Sequence, residues 1–265
     1  MYAFDYHKPS SVADAVSALK GADDGKFVAG GQTLIPTLKQ RLAQPSDLID
    51  LGGIAELNGI AVSGDTVTVG AMTRHAAVAG SADVAGAIPA LAALAGGIGD
   101  PQVRNRGTIG GSIANNDPAA DYPAACLGLG ATIKTSAREV SADDFFTGLF
   151  ETDLAEDEII VSVSFPKAEK AAYVKFDNPA SRYALVGVFV AKTAGGVRVA
   201  VTGAGQDGVF RVPEMEQALA ANWSPDAVAG IAVDPGTLNS DIHASAEYRS
   251  HLITVMAKRA VAAAG

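Results

Sequence analysis

Two pairs of adjacent glycines carry the chemistry this sequence can do: Ala29-Gly30-Gly31-Gln32-Thr33 and Thr108-Ile109-Gly110-Gly111-Ser112. Adjacent glycines let the backbone approach a ligand with no Cβ in the way and reach conformations closed to other residues. Successive N–H groups in such a turn make a concave seat for an anion, and a following helix adds its positive end. Gln32, Thr33, Thr108 and Ser112 offer side-chain donors beside them. Two such loops far apart in one chain suggest a diphosphate gripped from two sides.

The second stretch is the more specific. Arg104-Asn105-Arg106-Gly107 leads into it, and Asp117 and Asp121 follow within Asp117–Pro123. A nucleotide cofactor wants backbone donors for its diphosphate and an acid to accept from ribose or ribityl hydroxyls, and this segment can supply both. Gly203-Ala204-Gly205-Gln206-Asp207-Gly208 matches a dinucleotide fingerprint, but the following Val209–Pro213 is extended and proline-limited, so no helix opens inside the motif. It reads as a loop between C-terminal elements. His7, His75, His243 and His251 show no metal spacing and suit scattered surface or capping roles. No G-x-S-x-G elbow is present, and Cys126 lies in an apolar setting that suits an inert buried thiol.

The elements that must position these loops follow from periodicity. Val12, Ala15, Val16 and Leu19 fall at helical spacing behind Ser11, a natural cap. Lys26–Ala29 reads as a strand ending at the first glycine pair, and Leu34, Leu38 and Leu42 resume helical spacing, with Pro36 tolerable in the first turn. Asp47–Leu51 is the next strand, closing a β–α–β unit over residues 26–51. Thr66–Gly70 alternates as a half-buried strand, and helices are expected over Thr73–Ala79 and Val84–Ala95. Gly96–Asp121 reads as a long irregular, functional segment. Ala131–Lys134 and Glu158–Phe165 read as strands. Beyond Pro166 a strand-rich group (Tyr173–Phe176, Ala184–Lys192, Val197–Thr202) precedes helices over Pro213–Ala221 and Ala246–Ala263, the last with Tyr248, Leu252, Val255, Met256 and Arg259 on one face. A domain boundary is expected near residue 168.

Composition narrows the function class. The 265 residues are 48% hydrophobic and 18% charged, an ordinary globular balance, and 20 basic against 29 acidic residues give a net charge of −9. That charge, with no basic stripe, argues against a nucleic-acid partner. The opening Met1–Asp5 lacks the features of a secretory leader, and no apolar run is long enough to span a bilayer, so a cytoplasmic location is expected, with the inner membrane face as a variant. With one cysteine, the chain has no internal disulfide and cannot by itself hold an iron–sulfur cluster.

Taken together, the motifs resemble the FAD-binding medium subunit of the molybdenum hydroxylases, the group of carbon monoxide dehydrogenase and xanthine dehydrogenase. The resemblance runs nearly end to end, through Phe4–Pro9, Ala29–Leu34, Gly70–Thr73, Asp100–Ala114, Asp117–Pro123, Asp157–Phe165 and Lys175–Ala184. It implies an α+β fold: a two-part FAD-binding domain of the PCMH type over 1–168, divided into 1–53 and 54–168, then a smaller C-terminal α+β domain over 169–265. It also implies the cofactor contacts. Ala29, Gly30, Gly31, Gln32, Thr33 and Leu34 match the first diphosphate loop, and Thr108, Ile109, Gly110, Gly111 and Ser112 the second. Ile98 matches an apolar residue by the flavin, Asp121 a cofactor-binding acid, Ile160 a backbone contact, Lys175 a basic residue near the flavin, and Tyr183 a cover for its ring. Many carbon monoxide dehydrogenase-like members carry histidine and serine where this chain has Gln32 and Thr33. The change keeps hydrogen-bonding capacity, and the resemblance assigns no substrate.

In that family the substrate reacts at a molybdopterin centre on a large subunit, and electrons cross [2Fe–2S] clusters on a small subunit to the FAD. No residue of this chain is then expected to act as a catalytic acid or base, and a dimer of three-subunit units is the implied assembly. Two rival readings are a free-standing FAD-dependent oxidoreductase of related fold, which would need a substrate pocket with its own acid or base, and a module that kept the fold but lost the cofactor.

Overall fold

The computed structural model describes residues 1–265 and shows an α+β fold built on three main sheets. The first is parallel. Strands β1 (Asp5–His7), β2 (Gly25–Val28) and β3 (Asp47–Asp50) stand in the order β1-β3-β2. Helix α1 (Val12–Gly21) connects β1 to β2, its start fixed by Ser11, whose hydroxyl accepts from Asp14 N. Helix α2 (Leu34–Lys39) connects β2 to β3. It is shorter than the leucine spacing suggests. The chain turns at Arg41 (φ +61°), which leaves Leu42 74% exposed rather than continuing a buried stripe.

The second sheet is antiparallel. It takes β4 (Ile60–Ser63), β5 (Thr66–Gly70), β6 (Thr132–Thr135), β7 (Glu139–Ser141) and, after intervening elements, β10 (Ile160–Pro166), in the order β4-β5-β10-β6-β7. Between β5 and β6 lie α3 (His75–Gly80), α4 (Ala82–Ala87), α5 (Pro89–Gly96), α6 (Pro101–Arg104), α7 (Ile109–Asn115) and α8 (Tyr122–Leu129). The single helix expected over 84–95 is thus two, because Pro89 has no N–H to continue α4 and instead opens α5. The segment read as irregular, 96–121, holds α6 and α7, each capped by its own side chain, Asp100 and Thr108. Helix α8 lacks an amphipathic signal because it is buried along its whole length. A short helix, α9 (Ala142–Phe145), and a hairpin of β8 (Phe146–Gly148) and β9 (Glu151–Thr152) precede β10.

The third sheet is an antiparallel meander of β11 (Ala168–Asp177), β12 (Ala184–Thr193), β13 (Gly196–Gly205) and β14 (Gly208–Arg211), backed by α10 (Pro213–Ala221) and α11 (Ala246–Ala264). The 203–208 glycine motif forms the β13–β14 turn, and no helix follows it. Helix α11 buries Leu252, Ile253, Met256, Ala257 and Ala260. Its packed face is therefore rotated from the one expected, with Tyr248 and Arg259 outside it.

One core joins the second and third sheets, since Phe189, Ala191 and Ala200 pack into the same apolar cluster as Tyr122, Phe145 and Val163. A smaller cluster under the first sheet includes Ile49, Ile54 and Met72 and reaches Ile159 next to β10. No helix is long and apolar enough to cross a membrane.

Candidate functional site

Beyond Val28 the backbone leaves the first sheet without joining a helix, and the N–H groups of Ala29 through Leu34 find no acceptor within the chain. Gly31 makes this possible by turning with φ +71°. Carbonyls in the loop are used, by Ile35 N on Gly31 O at 3.1 Å and by Thr37 N on Thr33 O at 3.2 Å, so the loop is braced while its donors stay free. A run of unpaired donors is costly if left dry and suits a polyanion.

The second glycine loop is built differently. Ile109 N donates to Thr73 O (3.1 Å), Gly110 N to Ala71 O (2.8 Å) and Ser112 N to Thr108 O (3.0 Å). Gly111 N donates to the Thr108 hydroxyl at 3.1 Å. These donors are spent on the β5–α3 turn and on the cap of α7, so the first loop keeps free backbone donors while the second forms a rigid wall. The glycines serve that wall. A Cβ on Gly110 would lie 2.6 Å from Ala71 Cβ, and one on Gly30 would overlap the Arg106 carbonyl and lie 2.7 Å from Gly107 Cα. The small residues let the two loops touch.

Between the loops lies a cleft of about 640 Å³, within the range of small-molecule sites. Ala29, Gly30, Gly31, Gln32, Thr33, Leu34, Ile98, Thr108, Gly110, Gly111, Ser112, Asp121, Ile160 and Tyr183 line it. Two residues of the sequence reading do not. Ile109 is fully buried in the core. Lys175 is nearly buried, its ammonium donating to Gly97 O and Arg182 O, both at 2.9 Å, and pairing with Asp121 Oδ1 at 3.1 Å. With those bonds made, Lys175 ties the end of α5, the β11–β12 loop and the start of α8 together. Tyr173 OH donates to the same Asp121 oxygen at 2.6 Å. Both bonds fall on Oδ1. Burial pushes the Asp121 carboxyl above its ordinary range, while Lys175 and Tyr173 pull the other way.

Two titratable residues of the cleft escaped the sequence reading. His75, expected at the surface, is 5% exposed and lines the cleft beneath Gly107; its Nδ1 is buried without a partner. Burial, then the charge of Arg104, pushes its pKa down to about 4, so the ring is neutral near pH 7. Glu158 also lines the cleft. It accepts from Arg138 Nε at 3.1 Å, Ala155 N at 3.0 Å and Thr135 Oγ1 at 2.5 Å. Burial raises its pKa, but the bonds from Arg138, Thr135 and Ala155 outweigh it and bring the value to about 2. Neither residue had a local signal, because each acquires its surroundings from segments distant in sequence. Cys126 is buried, and burial raises its thiol pKa well above the usual range.

Residues 2–168 match the family described as the FAD binding domain in molybdopterin dehydrogenase. The chain is 38% identical to the nicotine 6-hydroxylase medium subunit of Paenarthrobacter nicotinovorans, covering 99% of this chain and 98% of that one. It is 36% identical to the carbon monoxide dehydrogenase medium chain of Hydrogenophaga pseudoflava, covering 98% and 96%. Among solved structures, a reconstituted CO dehydrogenase from Oligotropha carboxidovorans superposes with a TM-score of 0.90 at 33% identity, over 99% of this chain and 98% of that one. Quinoline 2-oxidoreductase from Pseudomonas putida 86 gives a TM-score of 0.88 at 30% identity, over 99% and 97%.

Proposed function

The chain belongs to the family of FAD-binding domains of molybdopterin dehydrogenases, and from that membership we propose how its own residues serve the cofactor. It is the FAD-binding, electron-transfer subunit of a multi-subunit molybdenum hydroxylase, an oxidoreductase component whose molybdenum and iron–sulfur centres lie on large and small partner subunits. FAD supplies the ability to take electrons singly from clusters and release them as a pair to an external acceptor.

The residues present fit that cofactor, and the free donors of Ala29–Leu34 are the observation that carries the assignment. In our reading these N–H groups, helped by Gln32 and Thr33, hold the diphosphate. Thr108, Gly110, Gly111 and Ser112 form the rigid wall across from them. Asp121, whose Oδ2 is left free by the bonds to Oδ1, accepts from a cofactor hydroxyl. Ile98, Ile160 and Tyr183 shield the apolar parts of the cofactor from water. Ile109 and Lys175 act from behind, the first by packing and the second by holding Asp121 in place. Residues 1–168, in parts 1–53 and 54–168, carry the cofactor, and 169–265 form the smaller domain. We read the assembly as a cytoplasmic dimer of heterotrimers.

A free-standing oxidoreductase would need an acid or base available to a substrate. Three candidates in this cleft are poorly placed for that role: His75 is buried, Glu158 is paired with Arg138, and Asp121 with Lys175.

The test is a titration of the purified chain with FAD, read by quenching of flavin fluorescence, with FMN as control. FMN has one phosphate and no diphosphate. One-to-one binding of FAD, with FMN much weaker, is expected. A folded chain that takes no FAD, alone or with its partner subunits, would refute the assignment.

A further inference from the structure

Two guanidinium groups meet at the Gly99 carbonyl, beside the cleft that Gly99 and Arg182 line, and neither has a carboxylate partner. Arg104, the last residue of α6, donates from Nη1 to the Ile98 and Gly99 carbonyls at 2.9 and 2.8 Å. Arg182, in the β11–β12 loop, brings its own Nη1 to 3.5 Å from the same Gly99 oxygen. Two like charges thus share one carbonyl, in a chain whose net charge is −9. Neither takes part in an ion pair.

The acids on neighbouring segments each bond elsewhere through one oxygen, and none pairs with either arginine. Asp100 Oδ1 accepts from Val103 N at 2.8 Å to cap α6. Asp117 Oδ1 accepts from Ala119 N at 2.9 Å. Asp121 belongs to Lys175 and Tyr173. Meanwhile Nε and Nη2 of both arginines have no protein acceptor, so the edges of the guanidinium that best match an oxyanion are free.

The backbone holds this arrangement under strain. Arg182 has φ +62°, a conformation that L residues other than glycine disfavour. Its carbonyl is gripped by the buried Lys175 ammonium, which also grips Gly97 O two residues before Gly99. One lysine therefore holds the Arg182 backbone and, through Gly97, the segment leading into the carbonyl the arginines share. Strain maintained in this way collects at ligand sites.

We propose that Arg104 and Arg182, which meet at the Gly99 carbonyl on the edge of the cleft, form an oxyanion seat for the phosphate or carboxylate of a small anionic molecule other than the FAD. The seat is framed by Ile98–Gly99 and Ser181–Tyr183, whereas the free backbone donors suited to the cofactor's diphosphate are on Ala29–Leu34. Only the statement that FAD lies beside it rests on the functional reading above. The two guanidiniums and their shared carbonyl belong to this chain whatever fills the cleft.

The experiment is calorimetric titration of the full-length, FAD-loaded chain with inorganic phosphate, and separately with oxalate, at ionic strength held constant with chloride. Saturable single-site binding is expected. Arg182→Gln weakens it roughly tenfold or more, and Arg182→Lys, which keeps the charge without the planar fork, falls between. Melting temperatures check that the variants fold. No saturable binding, or equal binding by the wild type and Arg182→Gln, overturns the proposal. So does binding to the flavin-free chain that FAD loading abolishes, which would give the seat to the cofactor's own diphosphate. If the chain takes no flavin at all, the flavin-free titration with Arg182→Gln still tests the seat.

Discussion

Replacing Gly30 with alanine tests whether contact between the two loops sets the position of the cofactor donors. A Cβ at Gly30 would overlap the Arg106 carbonyl and lie 2.7 Å from Gly107 Cα and 2.9 Å from Arg106 C, all backbone atoms. Gly107 cannot retreat, because its N–H is bonded to Val103 O at 2.7 Å, its carbonyl to His75 N at 3.0 Å, and the His75 ring lies directly behind it. The first loop must therefore move, by roughly the 1 Å scale on which binding geometry fails. That loop holds the free donors. A hydrogen bond to a charged acceptor contributes about 1.5–3 kcal/mol, so losing one raises the Kd for FAD by roughly tenfold to 150-fold. Gly110→Ala is the contrast, since its Cβ would strike Ala71 in the core while its neighbourhood holds no free backbone donor. Overpacking there costs about 1–3 kcal/mol of stability and lowers Tm by roughly 2–4 °C per kcal/mol. Fluorescence titration and thermal melts of both variants decide it. Wild-type affinity in Gly30→Ala, or a larger Tm loss there than in Gly110→Ala, would show that the loops are not held by this contact.

Two further outcomes are expected. The folded pKa of His75, about 4, lies below its unfolded value, so its contribution to stability is full above about pH 6.5 and is lost as pH falls toward 4. In that window the unfolded chain binds the extra proton, with a slope of up to about 1.4 kcal/mol per pH unit. His75→Phe should flatten the urea midpoint between pH 7.5 and 5, and a wild-type slope in the variant would count against this account. Lys175→Met leaves the Asp121 charge buried and unpaired, a loss of about 3–5 kcal/mol, and adding Asp121→Asn should recover much of it. Strict additivity in that double-mutant cycle would deny the coupling.

Why some of this was legible in the sequence, and some was not, follows from the range of the interactions. Glycines mark places where a backbone must come close to something, so both loops could be located from Gly30-Gly31 and Gly110-Gly111 alone. What they come close to is set by tertiary structure: for Gly30 it is the Arg106–Gly107 backbone, and for Gly110 it is Ala71. Strands and capped helices such as α1, with Ser11 at its start, were readable because their signals lie within a few residues. Helix α2 overran its true end because Leu42 keeps the helical period after Arg41 has left it. His75 and Lys175 have local sequence surroundings that look ordinary, and they acquire roles only from Gly107, Gly97, Asp121 and Arg182.

The same distinction explains the asymmetry of the site. Both loops carry the composition of an anion seat, yet the β5–α3 turn offers Thr73 and Ala71 carbonyls to one of them and nothing comparable to the other. The loop with acceptors in reach becomes a wall, and the loop without them keeps its donors for a ligand. On the proposed reading the cofactor's diphosphate has one donor-rich side, so its grip depends on how firmly the wall holds that side in register. The most consequential glycine in the site is therefore Gly30, which touches the wall.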